Sequence, residues 1–471
     1  MKLVKFASLV LAGTVGLAAC SDQTTGPVAS AVPSLTESES AADARHIFVF
    51  SSSTIPGDFA ARVAAAGGTV EKAFDAIRIV SVQGLTAEAA AALGATADVA
   101  HWNADVAMTL GEPAGDMEAE AMGEAALNEE AASASNPATA SFYPRQWHLR
   151  QIGADRAWRA GRLGSPAVKV GILDTGLDYR HPDLAGRVDL ALSRSFMPGD
   201  DAVVRRQFPG AHLIADLHYH GTHVGATVSS NAQAAAGVTS QVTLVGLKVL
   251  DRNGNGNSFA TLNAIVYAAD AGLDVINMSL GIAVPLKRSQ YAWFNEMINR
   301  ATTYAHGKGV TVIVAAGNEN MNLDELGNGF KAYCTASTVA CISATGPSSQ
   351  SGVNGPWANI DNKASYSNFG RAYITVAAPG GNGSSRVTAA CSSFSLAVPV
   401  CRTGVYVLGI NGTSMAAPHA AGLAALMVER YGRKPGQVKE ALGKFSDDLG
   451  PEGNDPVYGK GRINVARALG L

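Results

Sequence analysis

Four short motifs carry residue types that could perform nucleophilic catalysis. Gly171-Ile172-Leu173-Asp174-Thr175-Gly176 places a carboxylate where an apolar run stops, and His220-Gly221-Thr222-His223-Val224 opens a small-residue helical pattern with two imidazoles. Gly412-Thr413-Ser414-Met415-Ala416-Ala417-Pro418 opens another such pattern with a hydroxyl, and Val314-Ala315-Ala316-Gly317-Asn318 sets an amide just past a second apolar run. A serine hydroxyl is a weak nucleophile until a base takes its proton, and a carboxylate can fix the tautomer of the imidazole that acts as that base. An amide can donate to the negative oxygen that develops on an attacked carbonyl. Each motif alone has a plainer reading. Asp174 suits a turn, His220 a polar position at a helix start, Ser414 an N-cap, and Asn318 a loop beside Gly317. Their conjunction is what points to chemistry.

Such groups need a scaffold. After Phe142 the chain alternates short β-branched runs with helical patterns. The runs are Ala167–Leu173, Val242–Val249, Val275–Met278, Val310–Ala315 and Tyr373–Ala377, with helical segments such as Ser258–Ala271 and Tyr291–His306 between them. This alternation predicts an α/β fold with a mostly parallel sheet covered by helices on both faces. In such sheets active groups collect beyond the carboxyl ends of the strands, which is where Asp174 and Asn318 fall.

The blocks around Asp174, His220 and Ser414, in that chain order, resemble the subtilisin-like serine proteases. The resemblance covers about residues 146–471 and includes His181-Pro182-Asp183-Leu184, Gly246–Leu250, Asn277–Gly281, Ala315–Glu319 and Asn411–His419. It implies a subtilisin-like catalytic domain at 146–471 acting as a serine endopeptidase on protein or peptide substrates, with no cofactor required for the chemistry. It further implies Ser414 as nucleophile, His220 as general base and then acid, and Asp174 as the carboxylate that orients the imidazole. The Asn318 amide and the Ser414 backbone N–H would form the oxyanion hole. His223 and His419 are expected to be structural. Ser279, Leu280 and Gly281 resemble the edge that pairs with an extended substrate, and Gly254-Asn255-Gly256 the facing strand. Relatives often bind structural calcium; Asp183 matches one ligand position, while Asn231–Val238 does not clearly supply the rest. Ala389–Tyr406 looks like an insertion near the nucleophile. A catalytically inactive relative acting as a cell-surface protein-binding module is the alternative, opposed by the presence of all four catalytic groups. An esterase-like hydrolase is disfavoured, because no Gly-x-Ser-x-Gly elbow surrounds Ser414.

The front of the chain differs in kind. Residues 1–141 carry 6 Lys and Arg against 17 Asp and Glu, a balance of −11, while residues 142–471 carry 30 against 22, a balance of +8. The overall charge of −3 argues against a nucleic-acid partner. Lys2 and Lys5 precede an apolar run of 14 residues from Phe6 to Ala19, too short to span a ~30 Å hydrocarbon core. Residues 1–19 therefore read as a signal peptide. Leu17-Ala18-Ala19-Cys20 resembles the bacterial lipobox, which implies lipidation of Cys20, a membrane anchor on the precursor, and a mature enzyme in the periplasm or outside the cell. Residues 20–44 form a tether rich in Ser, Thr and acids. From 45 to 110 the pattern predicts β-α-β-β-α-β, a ferredoxin-like module. In pattern and position it resembles the inhibitory propeptide of secreted subtilases, so the chain's own front module is an expected intramolecular partner. Residues 111–145 form an acidic linker: 111–141 hold seven acids and no bases, and Met117–Ala132 could form a transient helix. Apart from Cys20, Cys334, Cys341, Cys391 and Cys401 remain, with three possible pairings. Two local bridges, Cys334–Cys341 and Cys391–Cys401, are the simplest, and a zinc site is the alternative.

Overall fold

The computed structural model describes residues 45–113, 117–123 and 134–471. The signal peptide, Cys20, the tether and part of the proposed 117–132 helix lie outside the described residues.

The catalytic part is built on a parallel sheet. Among the described residues it has seven strands, in the order Ile374–Pro379, Val339–Thr345, Thr311–Ala315, Val275–Met278, Lys169–Asp174, Thr243–Lys248 and Arg194–Ser195. Every neighbouring pair runs parallel. Five of these strands match the predicted runs, and the fold class is as expected. Val339–Thr345 is an addition. Its seven residues are all buried, yet Cys341, Ser343 and Thr345 interrupt its apolar character. A helix Thr413–Tyr431 crosses one face, and a helix His220–Val228 lies against it. Helices Ser258–Asp270 and Arg288–Gly307 cover the other face.

The front module has strands His46–Phe50, Thr69–Phe74, Ile79–Gln83 and Val99–Ala104, with helices Phe59–Ala65 and Ala87–Gly94. Its antiparallel sheet takes the spatial order second, third, first, fourth. Every residue of His46–Phe50 is buried, because both faces of the sheet are covered. Phe48 and Phe50 meet Phe59 and Val63 of the module's own helix, while Ile47 and Val49 join the core around the helices Ser258–Asp270 and Arg288–Gly307. Alternation of side chains along a strand makes this division automatic. Arg300 of the long helix donates to the carbonyls of Phe50 (3.0 Å) and Ile77 (3.2 Å), which fastens the module to the catalytic part.

Two expectations are corrected. The predicted closing strand Val99–Met108 is broken at Asp105, whose carboxylate turns to accept from Phe259 N (3.1 Å) and Ser258 Oγ at the start of the helix Ser258–Asp270. The chain then resumes as Ala107–Thr109, paired with Asn255–Asn257 instead of with the module. Nor is the acidic stretch after residue 110 only a linker. Glu118–Ala121 is a strand on the edge of the Val387–Ala390/Tyr406–Ile410 hairpin. Its acids meet bases, since Arg386 donates to Glu118 (2.9 Å) and Arg145 holds Glu120 with two nitrogens. Tyr143–Arg145 and the segment before it also rest on the catalytic core, through Ala140, Phe142 and Tyr143.

Candidate active site

Asp174 ends an interior strand of the sheet, next to the central strand Val275–Met278, and is fully buried. Its Oδ1 accepts from His220 Nδ1 (2.8 Å) and from the Thr175 amide (2.7 Å). The approach of the histidine helix to this loop needs glycine on both sides. A Cβ on Gly221 would come within 2.1 Å of Gly176 O, and Gly176, at φ +119°, would set a Cβ 2.3 Å from Ile214 O. Because Nδ1 faces the carboxylate, the Nε2 of His220 is left to face the cleft, as a general base requires. Burial opposes charge on this imidazole, but Asp174, by charge and hydrogen bond, together with Glu112 and Asp216, raises its pKa to about 9. Nε2 has no hydrogen-bond partner.

Ser414 is the second residue of its helix. Its Oγ donates to Ser279 O at 3.3 Å, and no hydrogen bond joins it to His220 Nε2. Such bonds often tighten only when substrate reacts. Pro418 lacks the N–H that would bond the Ser414 carbonyl, and Ser279 Oγ takes that place at 2.8 Å. Ser279 is in turn held by Asn277 Nδ2 at 2.9 Å. Ser279 thus braces the backbone of Ser414 as well as lining the cleft.

Asn318 lies three residues past the end of the strand Thr311–Ala315. Its Oδ1 accepts from both the N and the Oγ1 of Thr413 (2.9 Å each), which fixes the direction of its amide nitrogen. That nitrogen donates to the carbonyl of Gly111. The chain leaving the front module therefore lies in the cleft. Ala107–Thr109 pairs antiparallel with Asn255–Asn257, and Leu110 N donates to Gly254 O (2.9 Å). Met108 is buried and meets Tyr333 Oη. Beyond Gly111, Ser279–Ala283, Ala315, Gly317–Glu319 and Lys331–Ala332 line a cavity. Leu280 and Gly281 are among its walls. Lys331 pairs there with Glu319 (2.6 Å) and Ala283 O (2.7 Å); burial lowers its pKa despite that partner.

The other histidines are placed differently. His223 Nε2 bridges the carbonyls of Val387 and Leu408 (3.1 Å each), and burial, with the nearby His220, lowers its pKa to about 3. His419 is wedged between Met415 O (2.7 Å) and His148 (2.8 Å), and burial lowers its pKa to about 4. Both are neutral structural groups at ordinary pH. The surroundings of Asp183 do not fit calcium. Its two oxygens accept the amides of Gln233, Ala234 and Ala235 (2.8–3.0 Å), so the loop offers N–H donors where a cation needs oxygens. Among the described residues no group of three or more His, Cys, Asp or Glu could hold a metal. Sulfur atoms join Cys334 to Cys341 (2.05 Å) and Cys391 to Cys401 (2.06 Å). The second bridge closes the loop of the Val387–Ala390/Tyr406–Ile410 hairpin, and Ser392 and Leu396 of that loop bond the backbone of Asp216 and Leu217 just before His220.

The sequence reading missed Gly111, Glu112 and Tyr219. Glu112 places both carboxylate oxygens 2.8–2.9 Å from Tyr219 Oη, beside His220. Tyr219, a bulky residue directly before the histidine, was the available signal.

A parallel α/β sheet with a buried Asp–His pair, a helix-borne serine and an amide aimed at one carbonyl defines a serine hydrolase of the acyl-transfer class. The chain belongs to the subtilase family, whose profile matches residues 165–461, and it is a serine endopeptidase acting on protein or peptide substrates. It is 31% identical to thermitase of Thermoactinomyces vulgaris over 70% of this chain and 97% of that one. It is 32% identical to the thermophilic serine proteinase of Bacillus sp. (strain AK1) over 69% of this chain and 67% of that one. The fold is also similar to a crystal structure of the epidermin leader peptide processing serine protease of Staphylococcus aureus. There the TM-score is 0.68 at 20% identity, covering 91% of this chain and 98% of that one.

Proposed function

We propose that the chain is an exported, lipid-anchored proenzyme that cleaves itself between its front module and its catalytic domain. Ser414 is the nucleophile, His220 removes its proton and later protonates the leaving amine, and Asp174 holds the imidazole in the productive tautomer. Asn318 stabilises the oxyanion. Ser279, Leu280, Gly281 and Gly254 line the substrate cleft. The observation that carries this reading is the position of the Gly111 carbonyl on the Asn318 amide, with the preceding residues paired as a strand against Asn255–Asn257. A chain seated in this way is both substrate and inhibitor, because it fills the cleft that other peptides would use. The front module, docked by one sheet face, is the inhibitory propeptide. Export rests on residues 1–19 and anchoring on Cys20; cleavage near residue 111 releases the enzyme from its lipid once the two parts separate. Among the described residues no helix is long and apolar enough to cross a membrane.

Expression of the Ser414→Ala precursor with no other protease tests the reading. The expected result is a folded chain that accumulates at full length while the wild type is cut. If the variant is cut at the same bond, processing belongs to another enzyme.

A further inference from the structure

We propose that the bond cut in the chain itself is Gly111–Glu112, and that Tyr219 makes the site selective for an acidic residue directly after the cut. The proposal deepens the self-processing reading and rests on it. Three observations fix the bond. The Asn318 amide donates to Gly111 O, which marks that carbonyl as the one to be attacked. A Cβ built on Gly111 would lie 3.7 Å from Glu319 Oε1, so its substituent direction points into the cavity bounded by Glu319, where the side chain before a cut bond belongs. The chain is gripped on both sides of this point, by Asn255–Asn257 upstream and by Tyr406–Ile410 downstream.

The residue after Gly111 is then Glu112. Tyr219 Oη lies 2.9 Å from its Oε1 and 2.8 Å from its Oε2 and donates to the carboxylate. The tyrosine is pre-positioned: it is 2% exposed, and its ring stacks on His218 with centroids 4.1 Å apart. A hydroxyl bonded to a carboxylate in such a place is stronger than one bonded to an amide. Burial and the negative charges of Glu112, Asp216 and Asp174 push the Tyr219 hydroxyl's pKa up, so it stays protonated and available as a donor. In the reaction Ser414 Oγ attacks the Gly111 carbonyl carbon as its proton passes to His220 Nε2. The carbon–nitrogen bond to Glu112 breaks as the imidazolium returns that proton to the Glu112 nitrogen. One water then hydrolyses the acyl-enzyme, leaving a Gly111 carboxylate and restoring Ser414. The Glu112 carboxylate favours the imidazolium formed on the way, so an acid after the cut helps the chemistry as well as the binding.

Two measurements test this. Intact masses of the first fragments released by purified precursor should show a front fragment ending at Gly111 and a partner beginning at Glu112. Peptides alike except for Glu or Gln after the cut should differ about tenfold in kcat/KM in favour of Glu, the gap between a charged and a neutral hydrogen bond. In Tyr219→Phe that ratio should fall toward one. Should Tyr219→Phe fail to fold, Glu112→Gln in the precursor should slow self-cleavage by a similar factor on the plateau above about pH 9, where His220 is neutral in both proteins. A first cut at another bond, in protein that labels at Ser414 with a fluorophosphonate, overturns the bond assignment and leaves the protease reading intact. A wild-type Glu/Gln ratio near one overturns the role of Tyr219. Absence of labelling in mature protein overturns the underlying reading, and the proposal with it.

Discussion

Removing the Asn318 amide isolates one group whose work differs between ground and transition states. In the structure its oxygen is pinned by the Thr413 amide and hydroxyl (2.9 Å each), so the nitrogen cannot turn away, and it already donates to a neutral carbonyl at Gly111. A neutral hydrogen bond of that kind contributes about 0.5–1.5 kcal/mol. When the carbonyl oxygen becomes an oxyanion the same donor contributes far more; loss of the corresponding donor in subtilisin costs about 10²–10³ in kcat, or about 2.7–4 kcal/mol. Asn318→Ala should therefore lower kcat by about 10²–10³ with KM changed by no more than about tenfold. Thr413→Val, which removes one of the two pins, should give a smaller loss in the same direction. The assay is steady-state cleavage of a fluorogenic peptide by mature enzyme, with active sites titrated so that kcat refers to folded protein. A variant with normal kcat and a strongly raised KM would refute the reasoning, because it would place Asn318 in ground-state binding.

Other consequences can be checked singly. His220 must be neutral to act as base and has a pKa raised to about 9 in the precursor, under the influence of Asp174, Glu112 and Asp216. The rate of self-cleavage should thus climb about tenfold per pH unit and level off above about 9. Glu112→Gln removes a charge that favours the imidazolium, so its profile should shift to lower pH; an unmoved profile contradicts the coupling. Arg300→Ala deletes the donor to Phe50 O and Ile77 O and should weaken retention of the cleaved front module by about 2 kcal/mol. The lag between cleavage and activity on added peptide should then shorten, and an unchanged lag would show that the apolar face alone holds the module. Cys20→Ser should leave the precursor unlipidated by mass spectrometry, whereas an unmodified Cys20 in the wild type removes the anchor.

Local patterns carried much of this molecule. Asp174 and Asn318 follow apolar runs that are strands, and Ser414 opens an Ala-rich helix, so strand ends and helix starts were legible one motif at a time. The front module's element order was readable for the same reason. Long-range pairings were not. The stretch from 111 to 141 has the composition of a solvated linker, and only the fold brings Arg145 and Arg386 to Glu120 and Glu118. The strand read as Val99–Met108 is one run in sequence, yet Asp105 leaves it because a helix start 153 residues away offers donors. Asp183 looked like a cation ligand by motif, and the backbone amides of Gln233–Ala235 that satisfy it are invisible in residue types. Tyr219 met Glu112 for the same reason: 107 residues separate them.

The most direct test of the whole account is where a serine-directed fluorophosphonate reacts. Mature protein should take up one adduct, mapped by peptide mass spectrometry to Ser414, and His220→Ala should lose it while remaining folded. An adduct elsewhere, or none on folded mature protein, would contradict a catalytic Asp174–His220–Ser414 site.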